Sequence, residues 1–198
     1  MLQKLIVPTA LSRSMSKVRV FVTGDPGSGK TTAMCRIADD LKNRGLRIGG
    51  MISREIREDG VRVGFQLEDI VGHQTGILAH SKQRPFGAPT VGRYAVNLAD
   101  IERIGVAAIK RAVNEADIVI VDEIGPMELK SHQFIDVVKI ALASPKDFLG
   151  TLHKHSSNEL VNIIKSTYEV VKITPINRET LHQEIVTRFT CPLRSSVG

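Results

Sequence analysis

The chain has 198 residues, of which 42% are apolar and 24% charged, a composition typical of one soluble globular domain. No apolar run approaches the roughly 20 residues that a membrane-spanning helix needs, so an integral membrane protein is excluded. The net charge of +6 comes from the ends, because residues 1–20 carry four basic and no acidic residues and residues 188–198 carry two basic and no acidic ones. The neutral remainder and the scarcity of aromatic residues argue against nucleic-acid binding.

The two ends of the chain also differ from the rest in their pattern. In residues 1–17 a short apolar stretch is interrupted by Pro8, and no cleavage site typical of a secretory signal follows. We interpret 1–17 as a disordered tail, 18–188 as one folded domain and 189–198 as a C-terminal tail. A transit peptide and a start of translation at Met15 are alternatives for the N-terminus.

The cysteines favour a reducing compartment. Cys35 and Cys191 lie far apart in the sequence and belong to no CxxC motif or Cys/His cluster. A disulfide framework is therefore not expected. Together with the absence of a secretory signal pattern, this predicts a cytoplasmic protein.

The first third of the chain shows clear periodic patterns. Residues 18–23 predict a strand that runs into a glycine-rich turn, and residues 31–44 predict the helix that follows it. Residues 47–56 and 61–67 predict two strands, and the dipeptide Asp59-Gly60 between them is typical of a tight hairpin. The sequence therefore predicts a strand–loop–helix unit followed by an antiparallel pair.

The remainder of the chain alternates strands and helices. Asn97 is predicted to cap a helix that runs to about 115. The other predicted elements are a strand at 74–80, a loop at 82–93, a strand at 118–121, a helix from 131, a strand at 148–152, a helix from 156, a strand at 170–173 and a helix from 177. This alternation indicates a three-layer α/β fold with a mainly parallel central sheet, to which the hairpin adds an antiparallel part.

A glycine-rich segment connects the first predicted strand to the first predicted helix. Gly24-Asp25-Pro26-Gly27-Ser28-Gly29-Lys30-Thr31 matches the phosphate-loop pattern G-x-x-x-x-G-K-[ST] throughout, in the strand–turn–helix context that supports such a match. Its glycines let consecutive backbone N–H groups point into one concavity at the start of the helix. We therefore predict nucleotide binding, with Lys30 on the β- and γ-phosphates and the Thr31 hydroxyl on Mg²⁺.

Two carboxylates follow a run of four β-branched residues. Residues 118–121 are too apolar to be half exposed and predict a central strand, after which Asp122 and Glu123 come directly. Such a strand carries both side chains to the carboxyl edge of the sheet, where the phosphate loop also opens. Asp122 suits a contact with Mg²⁺, and Glu123 suits the general base that activates the attacking water. Solvated acids at an ordinary strand end are the alternative.

The same segment also fits a GTPase pattern, but only in part. Asp122-Glu123-Ile124-Gly125 satisfies the D-x-x-G of GTPase switches. The N-K-x-D motif that reads guanine is missing, and the nearest stretch, residues 177–180, lacks both the lysine and the aspartate. The sequence therefore disfavours a dedicated GTPase.

Several arginines are candidates for a supporting role in catalysis. The transition state of phosphoryl transfer needs positive charge on the γ-phosphate, and Arg93 could supply it from the loop at 82–93. Arg54, Arg57 and Arg178 are alternatives. For each of them, an ordinary solvent-exposed arginine is the competing interpretation.

Other polar residues follow predicted strands. Asn177 and Arg178 come after the last predicted strand, where P-loop proteins often hold the base, and are candidates for contacting it. If the strand at 148–152 neighbours the strand of the paired carboxylates, Thr151 or His153 lies beside the γ-phosphate. The sequence alone does not decide whether these strands are neighbours.

Four segments of the sequence are GDPGSGKTT, VGRYAVN, IVIVDEIGPMEL and TPINRETL. In their order and spacing they resemble the THEP1-type nucleoside-triphosphatases. The resemblance spans residues 18–186, and the block Asp122 to Leu129 is its most specific part. It implies a P-loop NTPase fold and Mg²⁺-dependent hydrolysis of several nucleoside triphosphates (ATP, GTP, CTP and UTP or TTP) to the diphosphate and phosphate. The family's motif positions fall on 24–31 and 118–125.

These arguments define a candidate site and its ligands. We expect Glu123, Lys30 and Arg93 to be catalytic and Thr31 and Asp122 to bind Mg²⁺. The expected nucleotide-binding residues are Gly24, Asp25, Pro26, Gly27, Ser28, Gly29, Lys30, Thr31, Thr32, Ile118, Val119, Ile120, Val121, Asp122, Glu123, Ile124, Gly125, Asn177 and Arg178. Nucleoside triphosphates are the expected partners, with no nucleic acid and no membrane, and the protein is expected to be a monomer.

Two other functions stay open. A P-loop kinase for a small molecule or nucleotide uses the same loop, but the segment 81–94 offers only Arg84 and Arg93 for a lid over an acceptor. A nucleotide-dependent switch, in which hydrolysis only resets a partner interaction, has the same motifs as a slow enzyme. Phosphate release with and without candidate acceptors separates these functions.

Overall fold

The computed structural model describes residues 17–191, and within this range nine strands form one mixed sheet. In chain order the strands are β1 (Arg19–Gly24), β2 (Ile48–Glu58), β3 (Val61–Asp69), β4 (Thr75–His80), β5 (Thr90–Val91), β6 (Tyr94–Val96), β7 (Ile118–Ile124), β8 (Asp147–His153) and β9 (Glu169–Lys172). The helices are α1 (Lys30–Asn43), α2 (Leu98–Asp100), α3 (Ala107–Glu115), α4 (His132–Ala143), α5 (Glu159–Thr167) and α6 (Leu181–Thr190). A π-helical stretch, Ile101–Val106, joins α2 to α3, and a short 3₁₀ turn, Glu128–Lys130, precedes α4.

The sheet has a parallel half and an antiparallel half, in the order β5-β6-β4-β3-β2-β7-β8-β1-β9. Strands β2, β7, β8, β1 and β9 run parallel to their neighbours within this half, whereas β2–β3, β3–β4, β4–β6 and β6–β5 pair antiparallel. The predicted α/β fold and its hairpin are therefore confirmed. The antiparallel part extends beyond the hairpin, through two strands of only two and three residues.

Helices cover both faces of the parallel half, which gives three layers. On β7, Val119 and Val121 pack with the helices α3, α4 and α5, whereas Ile118 and Ile120 pack with α1 and α6 on the opposite face. Successive side chains of a strand point to opposite faces, so a run of four apolar residues is needed where both faces are covered. This confirms the central position predicted for residues 118–121.

The carboxyl ends of the parallel strands bring the functional segments together. Strand β1 ends at Gly24, opposite His153 of β8, and leads into the glycine-rich loop and α1. Strand β7 lies on the other side of β8, and its register with β8 shifts between Val121 and Ile124. Asp122 and Glu123 therefore lie at an irregular strand end that faces the loop.

Two predicted helices begin later than the sequence pattern suggested. Helix α5 begins at Glu159 instead of 156 because the Asn158 side chain caps it, accepting a 2.9 Å hydrogen bond from the Leu160 N–H. Helix α6 begins at Leu181 instead of 177 because Asn177 closes a turn with Thr174. In both cases a polar side chain bonds the backbone outside the helix.

The predicted domain boundaries lie near the two ends of the described residues. Helix α6 continues to Thr190, so it passes the predicted boundary at 188. The predicted N-terminal tail, apart from Lys17, and residues 192–198 lie outside the described residues. Within residues 17–191, the helices are all too short or too polar to cross a membrane.

Candidate functional site

The loop between β1 and α1 forms a tight turn that depends on its glycines. The Ser28 N–H donates a 3.1 Å hydrogen bond to the Asp25 carbonyl, and Gly27 and Gly29 have φ angles of 76° and 94°. Residues other than glycine rarely adopt such φ angles. A Cβ atom on Gly24 would lie 2.6 Å from Ile173 Cγ2 and 2.8 Å from Ser28 Oγ. The sequence pattern and the backbone thus agree on a curved loop.

The loop leads directly into the N-terminus of α1. Gly29 occupies the cap position and provides no side chain to cap the helix, so the first N–H groups of α1 are left to bind something else. The Lys30 ammonium reaches back over the loop, with Nζ 3.2 Å from the Gly24 carbonyl. The Ser28 hydroxyl is buried and without a hydrogen-bond partner among the described residues. Backbone dipoles, a lysine charge and a hydroxyl therefore converge on one anion-binding concavity.

Asp122 is buried beside this concavity. Its Oδ1 accepts a 2.7 Å hydrogen bond from the Thr151 hydroxyl, while Oδ2 has no partner within residues 17–191. Burial raises the pKa of Asp122, and the hydroxyls of Thr151 and Thr31 and the charge of Lys30 oppose that rise. Strand β8 is the neighbour of β7, which is the condition under which the sequence places Thr151 or His153 beside the γ-phosphate. That position beside the γ-phosphate stays a prediction.

The Asp122 carboxylate and the Thr31 hydroxyl fit a divalent cation. A buried carboxylate oxygen without a partner lies next to a threonine side chain at the start of α1, and both are oxygen ligands of the kind that Mg²⁺ prefers. The described residues hold no cluster of three or more His, Cys, Asp or Glu side chains suited to a metal ion. Further ligands at this position would have to be phosphate oxygens and water, as is usual for Mg²⁺ bound with a nucleotide.

Glu123 follows on the cavity side of the strand end, after a cis peptide bond. Its Oε1 is buried without a hydrogen-bond partner in the described part of the chain. Burial raises the pKa of Glu123, the charge of Lys30 lowers it, and Asp122 raises it further. A carboxylate with a raised pKa and an unpaired oxygen in a cavity is equipped to accept a proton from a water molecule.

A third carboxyl group, Glu128, was not singled out from the sequence. It is 4% exposed, and its Oε2 accepts a 3.2 Å hydrogen bond from the Gly125 N–H. Burial and the neighbouring charges of Glu123 and Asp122 raise the pKa of Glu128 to about 8. Gly125 lies between the two glutamates, since a Cβ there would be 3.1 Å from Glu128 Oε2 and 3.4 Å from Glu123 Cδ.

The loop and the acidic strand end open into one cavity of about 680 Å³. Lys30, Thr31, Glu123 and Glu128 line its inner end. Its outer wall comes from the antiparallel half of the sheet and includes the three arginines Arg54, Arg57 and Arg62. No sequence motif marks Arg62.

The predicted arginine, Arg93, lies in the turn between β5 and β6. Its guanidinium contacts the Arg62 carbonyl and stacks over the Tyr94 ring, with Cζ 5.1 Å from the ring centre, and it is not among the residues that line the cavity. Arg54 and Arg57, the alternatives, do line it. The β5–β6 turn explains the difference, because its strand pairing directs Arg93 toward β3.

Asn177 and Arg178 lie beyond β9 and are likewise absent from the cavity lining. The Asn177 amide is occupied within its own turn: Oδ1 accepts a 2.8 Å bond from the Thr174 N–H, and Nδ2 donates a 3.0 Å bond to the Lys172 carbonyl. The Arg178 side chain is exposed and pairs with Glu179 at 3.4 Å. The structure therefore brings the loop and the paired carboxylates together, but not these two residues.

A strand, a glycine-rich phosphate loop and a helix at the carboxyl edge of a mainly parallel sheet define a P-loop NTPase fold. The sequence pattern of a family described as NTPase matches residues 19–186. The chain therefore belongs to this NTPase family.

Relatives that are named nucleoside-triphosphatase THEP1 support this assignment. The chain is 42% identical to the nucleoside-triphosphatase THEP1 of Methanocaldococcus jannaschii, over 89% of this chain and 100% of that protein. It is 40% identical to the THEP1 of Pyrococcus abyssi, over 85% and 90% of the two chains. Among solved structures, it is similar to THEP1 of Aquifex aeolicus, with a TM-score of 0.73, 28% identity and coverage of 85% and 96%. It is also similar to a human cancer-related nucleoside triphosphatase, with a TM-score of 0.73, 31% identity and coverage of 87% and 97%.

Proposed function

We propose that this protein is a Mg²⁺-dependent nucleoside-triphosphatase that converts ATP, GTP, CTP, UTP and TTP to the diphosphate and phosphate with little preference for the base. The observation that carries the proposal is the position of Asp122 and Glu123. The first is hydrogen-bonded and buried beside Thr31, and the second has a free oxygen in the cavity that the phosphate loop lines. Membership of the NTPase family and the names of the relatives support the same activity.

The proposed roles follow from these positions. The loop N–H groups and Lys30 hold the β- and γ-phosphates, while Thr31 and Asp122 would hold Mg²⁺. The bound cation would neutralise charge that develops on the phosphate oxygens. Glu123 orients a water molecule in line with the γ-phosphate and accepts its proton as the new P–O bond forms. The bond between the γ-phosphorus and the bridging oxygen breaks, and the diphosphate leaves with that oxygen.

The proposed site offers few groups that could recognise the base of the nucleotide. The one amide predicted to contact the base, that of Asn177, is already bonded within its turn and is not among the residues that line the cavity. Discrimination among bases requires hydrogen-bonding groups that a wrong base leaves unpaired. We therefore infer broad base specificity.

Phosphate release tests the proposal. Purified protein is incubated with each of the five triphosphates, with Mg²⁺ or with excess EDTA, and with or without small-molecule phosphoryl acceptors. The proposal expects phosphate from all five, abolished by EDTA and independent of the acceptor. Turnover that depends on an acceptor and releases no free phosphate would indicate a kinase instead.

A further inference from the structure

The cavity extends well beyond the phosphate loop into a second compartment. We name it the arginine compartment, and it is formed by Arg54, Arg57, Arg62, Phe65, Leu78 and Tyr94. Arg54 and Arg57 lie on the part of β2 that pairs antiparallel with β3, and the other four residues lie on β3, β4 and β6. The parallel half alone is enough to build the phosphate loop and the acidic strand end, so this compartment needs a separate explanation.

The sheet order fixes the side from which the compartment meets a nucleotide. Strand β2 is the neighbour of β7, so the antiparallel half begins on the Asp122 side of the loop, whereas β9 lies on the other side of β1. A triphosphate with its γ-phosphate at Asp122 and Glu123 extends its ribose and base away from them. The arginine compartment therefore lies on the β7 side of the phosphate loop, next to the position proposed for the γ-phosphate.

The compartment carries an excess of positive charge. The Glu55 carboxylate forms ion pairs with both Arg57, at an N–O distance of 2.5 Å, and Arg62, at 2.8 Å. Arg54 donates from Nε to Glu68 at 3.0 Å, which leaves further N–H groups of its guanidinium beyond this bond. Three guanidiniums thus share two paired carboxylates, those of Glu55 and Glu68, and a guanidinium fork matches the oxygens of a phosphate group.

Beside the arginines lies an apolar wall. Phe65 and Tyr94 meet edge to face with ring centres 5.3 Å apart, and the Arg62 guanidinium lies over the Phe65 ring, 5.2 Å from its centre. Leu78 continues this wall. Apolar and aromatic surface next to a few convergent charged groups is the usual construction of a small-molecule site.

We propose that the arginine compartment binds a second small molecule, a phosphate monoester carried on a ring-bearing body, next to the γ-phosphate of the bound triphosphate. The arginines bind its phosphate, and Phe65, Leu78 and Tyr94 pack against the ring. This proposal rests on the proposed function, because the position of the γ-phosphate defines which side of the cavity is left for the second molecule.

Titration calorimetry tests it on the full chain. The protein is first saturated with Mg²⁺ and an ATP analogue whose β,γ-bridge is an imido group. It is then titrated with the four nucleoside 5′-monophosphates, phenyl phosphate, adenosine and inorganic phosphate. We expect saturable binding of the ring-bearing monoesters, about tenfold tighter than that of inorganic phosphate or of adenosine, since each of the latter lacks one half of the ligand. If none of the monoesters binds saturably to the loaded protein, the proposal is wrong.

Variants assign the binding to the compartment. Arg62→Gln and Phe65→Leu should each weaken monoester binding by about tenfold while changing the affinity for the imido analogue by less than about twofold. Arg188→Gln is the matched control, because Arg188 forms a comparable ion pair of 2.7 Å with Glu169 at the opposite edge of the sheet. Unchanged monoester affinity in both variants, or displacement of the analogue by the monoester, would overturn the proposal. Failure of the analogue itself to bind would contradict the proposed function instead.

Discussion

Thr151 on β8 donates a 2.7 Å hydrogen bond to Asp122 on the neighbouring strand β7, and both side chains are buried. The bond leaves Asp122 Oδ2 unpaired beside the start of α1. It therefore orients the carboxylate that we propose as a Mg²⁺ ligand, in the manner of the outer contacts that position metal ligands in other proteins.

Replacing Thr151 with valine tests this relationship. Valine keeps the shape but removes the donor, so Asp122 loses its partner in a buried position and the free energy of unfolding should fall by about 1–3 kcal/mol. Half-maximal turnover should also require a higher Mg²⁺ concentration. Thr151→Ser retains the hydroxyl and is the control. Chemical denaturation and a Mg²⁺ titration of phosphate release make the measurement, and a Val variant that matches wild type in both would refute the role.

Glu128 gives the protein a specific pH dependence. Its pKa is raised to about 8 by burial and by Glu123, so between about pH 4.5 and 8 the folded protein holds a proton that the unfolded chain has released. The free energy of unfolding therefore falls as the pH rises through this range. Glu128→Gln removes this titration and keeps an acceptor for the Gly125 N–H, so the slope should flatten by up to ~1.4 kcal/mol per pH unit.

Denaturation of wild type and Glu128→Gln from pH 5 to pH 8 checks this expectation. The variant should gain stability relative to wild type toward the alkaline end of the range. Glu115→Gln, at an exposed position at the end of α3, controls for the amide substitution itself. Parallel curves for wild type and Glu128→Gln would show that Glu128 does not hold the extra proton.

Lys30→Ala separates nucleotide binding from folding. The Lys30 ammonium contacts carbonyls of its own loop and supports no part of the core, so the melting temperature of the nucleotide-free protein should change little. Triphosphate affinity and turnover should both collapse, because the charge on the β- and γ-phosphates is gone. Lys42→Ala, an exposed lysine in the last turn of the same helix, is the matched control. Unaltered triphosphate binding in calorimetry would contradict the assignment.

Base selectivity should be weak. Since the Asn177 amide is bonded to Thr174 and Lys172, we expect turnover of ATP, GTP, CTP and UTP to agree within about tenfold, or roughly 1.4 kcal/mol in activation free energy. Competition between pairs of triphosphates measures the ratio of kcat/KM directly. A preference for one base above about a thousandfold would rule out a site that ignores the base.

The sequence predicted those parts of the molecule that depend on local patterns. The phosphate loop, the apolar strand before Asp122 and the Asp59-Gly60 hairpin each carry their signal within a few neighbouring residues, and all three occur in the structure. The approach of Thr151 to Asp122 was predicted only conditionally, because strand order is a property of the whole sheet.

Other features depend on tertiary contacts that no local pattern encodes. Glu128 lies in a three-residue 3₁₀ turn, and its burial follows from packing beside Glu123 and Gly125. Strands β5 and β6 are too short to show a period, so the outer wall of the cavity and the direction of Arg93 could not be derived. Arg62 enters the cavity only because β3 pairs with β2 in the observed register.

Asp122→Asn and Glu123→Gln distinguish the two carboxylates of the strand end. Asn at 122 weakens the proposed metal site and should therefore lower the affinity for Mg²⁺–ATP as well as turnover. Gln at 123 keeps the shape and can still hold a water molecule, so affinity should be unchanged or slightly higher, because one negative charge near the γ-phosphate is removed.

Single-turnover hydrolysis of Mg²⁺–ATP by Glu123→Gln, at protein concentrations that bind all of the nucleotide, tests the central claim most directly. The account predicts normal binding with a rate of phosphate release about 10²- to 10⁴-fold below wild type, since the amide cannot accept the proton of the water. A variant that binds Mg²⁺–ATP normally and keeps more than about a tenth of the wild-type rate would contradict it. In that case another group, or the γ-phosphate itself, takes the proton.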